Sequence, residues 1–95
     1  MTKNPLRDVL SRLLHDSSLV KDDYEIVYVS RGALDDLEHI SGADLVRVTR
    51  FGFSWRTPTG VIKEIPFHRV VLVRNVRTGS VLYLNPRALG SSSRT

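Results

Sequence analysis

The sequence contains no cysteine, and that absence removes more chemistry than any other feature of its 95 residues. It can build no disulfide framework, thiolate metal site or cysteine nucleophile. Long apolar runs are missing too. None approaches the ~20 residues a membrane-spanning helix needs, and the opening MTKNPLRDV lacks the apolar segment of a secretory signal, so a cytoplasmic protein with no membrane partner is expected. There is no Gly-rich phosphate loop of the nucleoside-triphosphate type and no Gly-x-Ser-x-Gly to hold a hydrolase serine on a constrained turn. The three histidines, His15, His39 and His68, show no short ligand spacing, and no metal or cofactor is expected.

What remains describes a folded chain. Hydrophobic residues make up 41% and charged residues 25%, which argues against disorder, and the length suffices for one hydrophobic core but not two. A single domain is expected over residues 1–90, with a Ser-rich tail at 91–95 that has nothing to bury. Fourteen Lys and Arg against ten Asp and Glu give a net charge of +4, and eleven of the fourteen are arginine. Arginine presents a planar donor fork that matches phosphate, so polyanions are natural partners to test. A modest positive charge also serves solubility alone.

Asn4-Pro5 followed by LRDVLSRLL reads as a helix start: Asn caps the free amides, and Pro at the first helical position forfeits no bond. Leu6, Val9, Leu10, Leu13 and Leu14 recur at helical spacing, which predicts an amphipathic helix of about ten residues. Residues 15–23 read as a loop and YEIVYVSR as a central strand, since both of its faces are partly apolar. Residues 32–43 break the pattern, with room for one short helical turn. DLVRVTRFGFSWR is one bent strand or two joined at Gly52. Thr57-Pro58-Thr59-Gly60 is a turn, VIKEI and FHRVVLVRN are strands, VRTG turns again, and SVLYL ends at Asn85-Pro86. The expected fold class is α+β: an N-terminal amphipathic helix packed on a curved, mostly antiparallel sheet or half-barrel of about five strands.

His15-Asp16-Ser17 and His39-Ile40-Ser41 both read as His-x-Ser, and paired His-x-Ser/Thr motifs serve one class of phosphoesterases on RNA cyclic phosphates. That class carries them on the strands of two lobes, in a chain about twice as long, whereas here both fall in expected loops. Anion binding has better support. Arg31 closes the first strand, Arg47 and Arg50 lie on the middle strand, Arg56 follows Trp55, and His68-Arg69 open the next strand. Aromatics are interleaved, and arginine for phosphate with an aromatic face for a base is a common way to hold an RNA end. Phe51, Phe53 and Phe67 read as core; Trp55 and Tyr28 read as the surface exceptions.

Two segments carry a family resemblance. DYEIVYVSRG (23–32) and IPFHRV (65–70) resemble a small domain family found in archaea and inside some larger eukaryotic proteins, described as an RNA cyclic group end recognition, or RNA repair, domain. The resemblance covers roughly residues 5–84, and Tyr28, Arg31, Pro66, His68 and Arg69 fall on its motif positions. It implies recognition of RNA 2′,3′-cyclic phosphate or similarly modified ends. Two departures stand out: Ser30 replaces a frequent acidic residue, and VLYLNP replaces a closing strand that usually ends in Trp and a charged pair. Tyr83 or Trp55 would then have to supply any stacking at that end.

In a regular strand over 65–73, His68 and Arg69 would point to opposite faces and could not share one phosphate. Arg69 would lie on the more apolar side, buried against Glu25, Asp44 or Glu64. An irregularity after Pro66 would reunite the pair. The leading expectation is a non-enzymatic RNA-binding module working with RNA-processing or repair proteins. Arg31 and Arg69 hold the terminal phosphate, His68 adds a hydrogen bond, and Tyr28 or Trp55 faces the base, with Arg56 and Tyr83 in secondary contacts. A phosphodiesterase or phosphotransfer accessory enzyme using His68, and a protein-interaction module working through a sheet edge, are the alternatives.

Overall fold

The computed structural model describes residues 4–88, so the expected Ser-rich tail lies outside the described residues. Helix α1 spans Pro5–His15, and the Asn4 side chain accepts from the amides of Leu6 at 3.0 Å and Arg7 at 3.3 Å. Arg12 and His15 occupy the last turn, where a cation is favoured by the exposed carbonyls. Leu6, Leu10 and Leu13 are fully buried, each contributing about 2 kcal/mol of apolar transfer.

Among the described residues seven strands follow rather than about five: β1 Tyr24–Val29, β2 Leu37–Ser41, β3 Leu45–Val48, β4 Gly52–Arg56, β5 Ile62–Pro66, β6 Val70–Asn75 and β7 Val81–Leu84. They form two antiparallel sheets instead of one curved sheet, in the orders β2-β1-β6-β7 and β3-β4-β5. The added strands have simple origins. In β2 only Ile40 is buried, so LEHIS shows no apolar alternation. DLVRVTRFGFSWR folds as two strands, with Thr49 to Gly52 as the hairpin connection. A Cβ on Gly52 would collide with the Ile65 carbonyl, which is why this position takes glycine. β1 is a central strand, as its two apolar faces predict.

The helix and both sheets share one core. Leu6, Leu10 and Leu13 meet Ile26, Tyr28, Val70 and Val73 of the first sheet and Leu45, Phe53, Trp55 and Ile65 of the second. The chain crosses between sheets twice, each time in a single 3₁₀ turn: Gly42–Asp44 leads from β2 to β3, and Phe67–Arg69 leads from β5 to β6. The second crossing contains the histidine and arginine singled out above.

Among the described residues no helix is long and apolar enough to cross a membrane.

Candidate functional site

Antiparallel pairing brings three chain segments to one place. β1 runs against β6 with Tyr28 opposite Val70, so the end of β1 and Arg31 beyond it reach the start of β6. β7 also runs against β6, and just after it the Asn85 amide donates to the Val71 carbonyl at 2.7 Å. The 3₁₀ turn Phe67–Arg69 leads into β6 at that same end. An open cleft of about 680 Å³ forms there, lined by Val29, Arg31, His68, Arg69, Asn85 and Arg87.

The turn answers the question of faces. Pro66 is extended (φ −68°, ψ 149°), as proline allows, and the chain turns helical directly after it. The Val70 amide closes the turn on the Phe67 carbonyl. Phe67 drops into the core while His68 and Arg69 both remain exposed. Alternation across a strand therefore does not separate them, and both line the cleft. The alternative that a regular strand would have given, Arg69 buried against Glu25, Asp44 or Glu64, does not hold, because residues 67–69 are the crossing between sheets rather than part of a strand. Arg31, His68, Arg69 and Arg87 make no ion pair among the described residues.

Tyr28 and Trp55 lie elsewhere. Both are buried, at 1% and 3% exposure, contrary to their expected place at the surface. The Trp55 Nε1–H donates to the Tyr28 hydroxyl at 3.1 Å, and that hydroxyl donates to Glu38 Oε1 at 2.8 Å. Their rings pack edge to face, with centroids 6.5 Å apart, and the Lys63 ammonium lies 5.9 Å from the Trp55 ring centroid. Burial, and next the bond to Glu38, push the Tyr28 phenol well above its ordinary pKa; the Trp55 bond and the Arg69 charge oppose this without offsetting it. The phenol therefore stays protonated and serves as a hydrogen-bond joint between the sheets. Arg56 is exposed at the end of β4 and Tyr83 is half-buried in β7; neither lines the cleft.

A second cationic group sits away from the cleft. Glu25 in β1 accepts from Arg74 Nε at 2.9 Å and lies 2.9 Å from His39 Nδ1, so His39 is a strand residue with a carboxylate partner and not a loop group. Burial raises the Glu25 pKa, but the bonds to His39 and Arg74 outweigh it and the carboxyl titrates below its usual value. His15 ends α1, so the two His-x-Ser segments occupy different elements. No group of three His, Asp or Glu side chains suited to a metal ion occurs among the described residues.

Arg87 is the cleft residue that the sequence reading missed, because it follows Asn85-Pro86, which reads as the end of the last strand with no element after it. Asn85-Pro86 repeats the Asn-Pro helix start of Asn4-Pro5, and Arg87 and Ala88 are indeed helical. That repeated signal could have found it.

Residues 3–84 match the family model described as the MJ1316 RNA cyclic group end recognition domain. A UPF0248 protein of Methanococcus vannielii is 33% identical over 78 residues, which cover 82% of this chain and 88% of that protein. A UPF0248 protein of Methanococcus maripaludis is 30% identical over 82% of this chain and 95% of its own length. For that of Methanocaldococcus jannaschii the figures are 28%, 82% and 90%. No solved structure gives a significant match. With the family model matched across nearly the whole described region, from the helix through the last strand, the chain belongs to the RNA cyclic group end recognition domain family.

Proposed function

We propose that this protein is a non-catalytic cytoplasmic module that binds RNA ends carrying a terminal phosphoryl group, 2′,3′-cyclic phosphate foremost, alongside RNA-processing or repair proteins. One observation carries the reading: Arg31, Arg69 and Arg87 converge with His68 on one open cleft without a carboxylate partner among the described residues. Arginines with unused donor forks suit the non-bridging oxygens of a phosphate. Asn85 and His68 add polar groups at the same rim. The family description points to the same ligand.

Binding is favoured over turnover by the make-up of the cleft. Opening a cyclic phosphate by general acid–base catalysis uses a base and an acid. His68 is the one imidazole in the cleft, since His15 ends the helix and His39 is held by Glu25. Incubation with a cyclic-phosphate RNA is expected to give no product, in wild type and in His68→Ala alike; a wild-type product lost in the variant would make the module an enzyme.

The deciding experiment measures affinity for one oligoribonucleotide with three 3′ ends, cyclic phosphate, linear phosphate and hydroxyl, at fixed salt. Tighter binding of the phosphorylated ends is expected. Equal affinities for all three, with salt alone setting their strength, would leave only general RNA affinity. Capture of a stoichiometric protein partner that survives ribonuclease would favour the protein-interaction alternative.

A further inference from the structure

We propose that Arg50 and Phe51, at the tip of the β3–β4 hairpin, form with the groove beside them the seat for the nucleobase of the RNA end. The inference rests on the end-binding reading and adds to it the part of the ligand that the phosphate cleft does not touch.

Phe51 is 75% exposed, contrary to its expected place in the core, and is the most exposed large apolar side chain among the described residues. A single exposed phenylalanine needs no explanation by itself. Its surroundings set this one apart. The Thr49 hydroxyl accepts from the amides of Phe51 and Gly52, each at 3.2 Å, and the Thr49 amide donates to the Gly52 carbonyl at 2.8 Å. The Phe51 carbonyl accepts from the Phe67 amide at 3.2 Å. The ring therefore projects from a backbone tied on both sides, so little ordering remains to be done when a ligand stacks on it. The Arg50 guanidinium lies 5.7 Å from the ring centroid, which gives the tip both a π face and a cation.

The ring borders a largely apolar groove of about 490 Å³, whose walls include Phe53, Ile65 and Pro66 together with Ser54 and Glu64. Ser54 and Glu64 are register partners on neighbouring strands, so an acceptor carboxylate and a hydroxyl stand side by side. A planar heterocycle with polar edges fits such walls: its face meets the ring, and its amino and imino groups meet Glu64 and Ser54.

Closeness in the chain to the phosphate cleft selects this occupant over others. Pro66 belongs to the groove and His68 to the cleft, two residues further along. That step spans no more than about 7 Å of extended backbone, so one wall of the groove and one wall of the cleft belong to the same short segment. Between them stands Phe67, hydrogen-bonded to Phe51. Tyr28 and Trp55, the aromatics expected to face a base, are buried in the core, whereas Phe51 is exposed and its carbonyl is bonded to the amide of Phe67, the residue before His68 of the cleft.

The test uses an oligoribonucleotide ending in adenosine 2′,3′-cyclic phosphate and the same oligomer with the terminal base removed. Phe51→Ala should bind the base-bearing end about tenfold more weakly and the base-free end almost unchanged, while Phe51→Tyr should bind both like wild type. Thermal unfolding of Phe51→Ala should match wild type, because the side chain is exposed. If that variant unfolds, Phe51→Trp replaces it, and quenching of the new indole by the base-bearing end alone is expected. Equal loss on both ends, no loss on either, or an indole indifferent to the base would overturn the base seat while leaving the phosphate cleft intact. Wild type that binds cyclic-phosphate and hydroxyl ends equally would overturn the end-binding reading, and this inference with it.

Discussion

Arg74 and His39 share the carboxylate of Glu25, whereas Arg31, Arg69 and Arg87 gather at the start of β6 with no such partner among the described residues. The residue types are alike and the consequences differ. In the first group the donors are already occupied, so the arrangement ties β2, β1 and β6 together across the sheet. In the second, like charges stand close together in an open cleft, which costs stability through mutual repulsion and leaves donors facing solvent. A bound anion would relieve that repulsion, and the proposed end-binding function rests on this contrast.

The sharpest way to break this contrast is the double variant Arg31→Ala, Arg69→Ala. Each removed arginine forfeits about 1.5–3 kcal/mol of charged hydrogen bonding, so affinity for a cyclic-phosphate RNA should fall about a hundredfold or more by fluorescence anisotropy. The thermal midpoint should hold steady or rise; a fall would move these residues into the structural class with Arg74.

Next in size is Tyr28→Phe, which leaves Trp55 Nε1 and Glu38 without their shared partner. A loss of about 1–3 kcal/mol is expected in denaturant unfolding, with RNA affinity unchanged. Weaker RNA binding at full stability would instead return Tyr28 to the ligand site.

Glu25→Gln should be milder, lowering stability by about 1 kcal/mol or less without touching RNA binding. Its signature is in the pH profile. Because the Glu25 pKa is lowered in the folded state, its contribution is fully present above the reference value of 4.5 and fades as pH falls through the lower folded value. The wild-type unfolding midpoint should therefore drop on acidification through that window, and the variant's curve should be flatter. An identical acid limb in both proteins would mean that the carboxylate is not the element holding the paired cations.

The smallest effect is expected from Arg74→Ala: since its donors already serve Glu25, RNA affinity should change less than twofold in the anisotropy assay. A loss comparable to that of Arg69→Ala would erase the distinction between the two groups and reduce RNA binding to overall charge.

The helix was the most readable part of the chain. Asn4-Pro5 and the leucine spacing are local signals, and they are answered by an 11-residue helix with the expected buried face. The candidate site was readable as a set of residue types, because Arg31, His68 and Arg69 stand in recognisable segments. It was not readable as a geometry. IPFHRV looks like the mouth of a strand, and only the need to pass from one sheet to the other converts residues 67–69 into a turn. The aromatics depart from their expected places for a related reason. Tyr28 and Trp55 have polar tips that suit the surface, but a partner for each tip exists inside, and Phe51 is exposed because a tight hairpin puts it at the apex.

The sequence by itself determined the chemistry available: an arginine-rich, cysteine-free chain with a capped amphipathic helix, short β segments and the motif residues of the family. These are local properties of composition, spacing and turn residues. Tertiary structure alone decided which cations meet and which are neutralised. The convergence of Arg31, His68, Arg69 and Arg87 depends on β1 and β7 ending where β6 begins, at one end of the first sheet, and the pairing of Arg74 depends on its register opposite Glu25. Strand order and register are set by long-range burial in the shared core, and no local pattern records them.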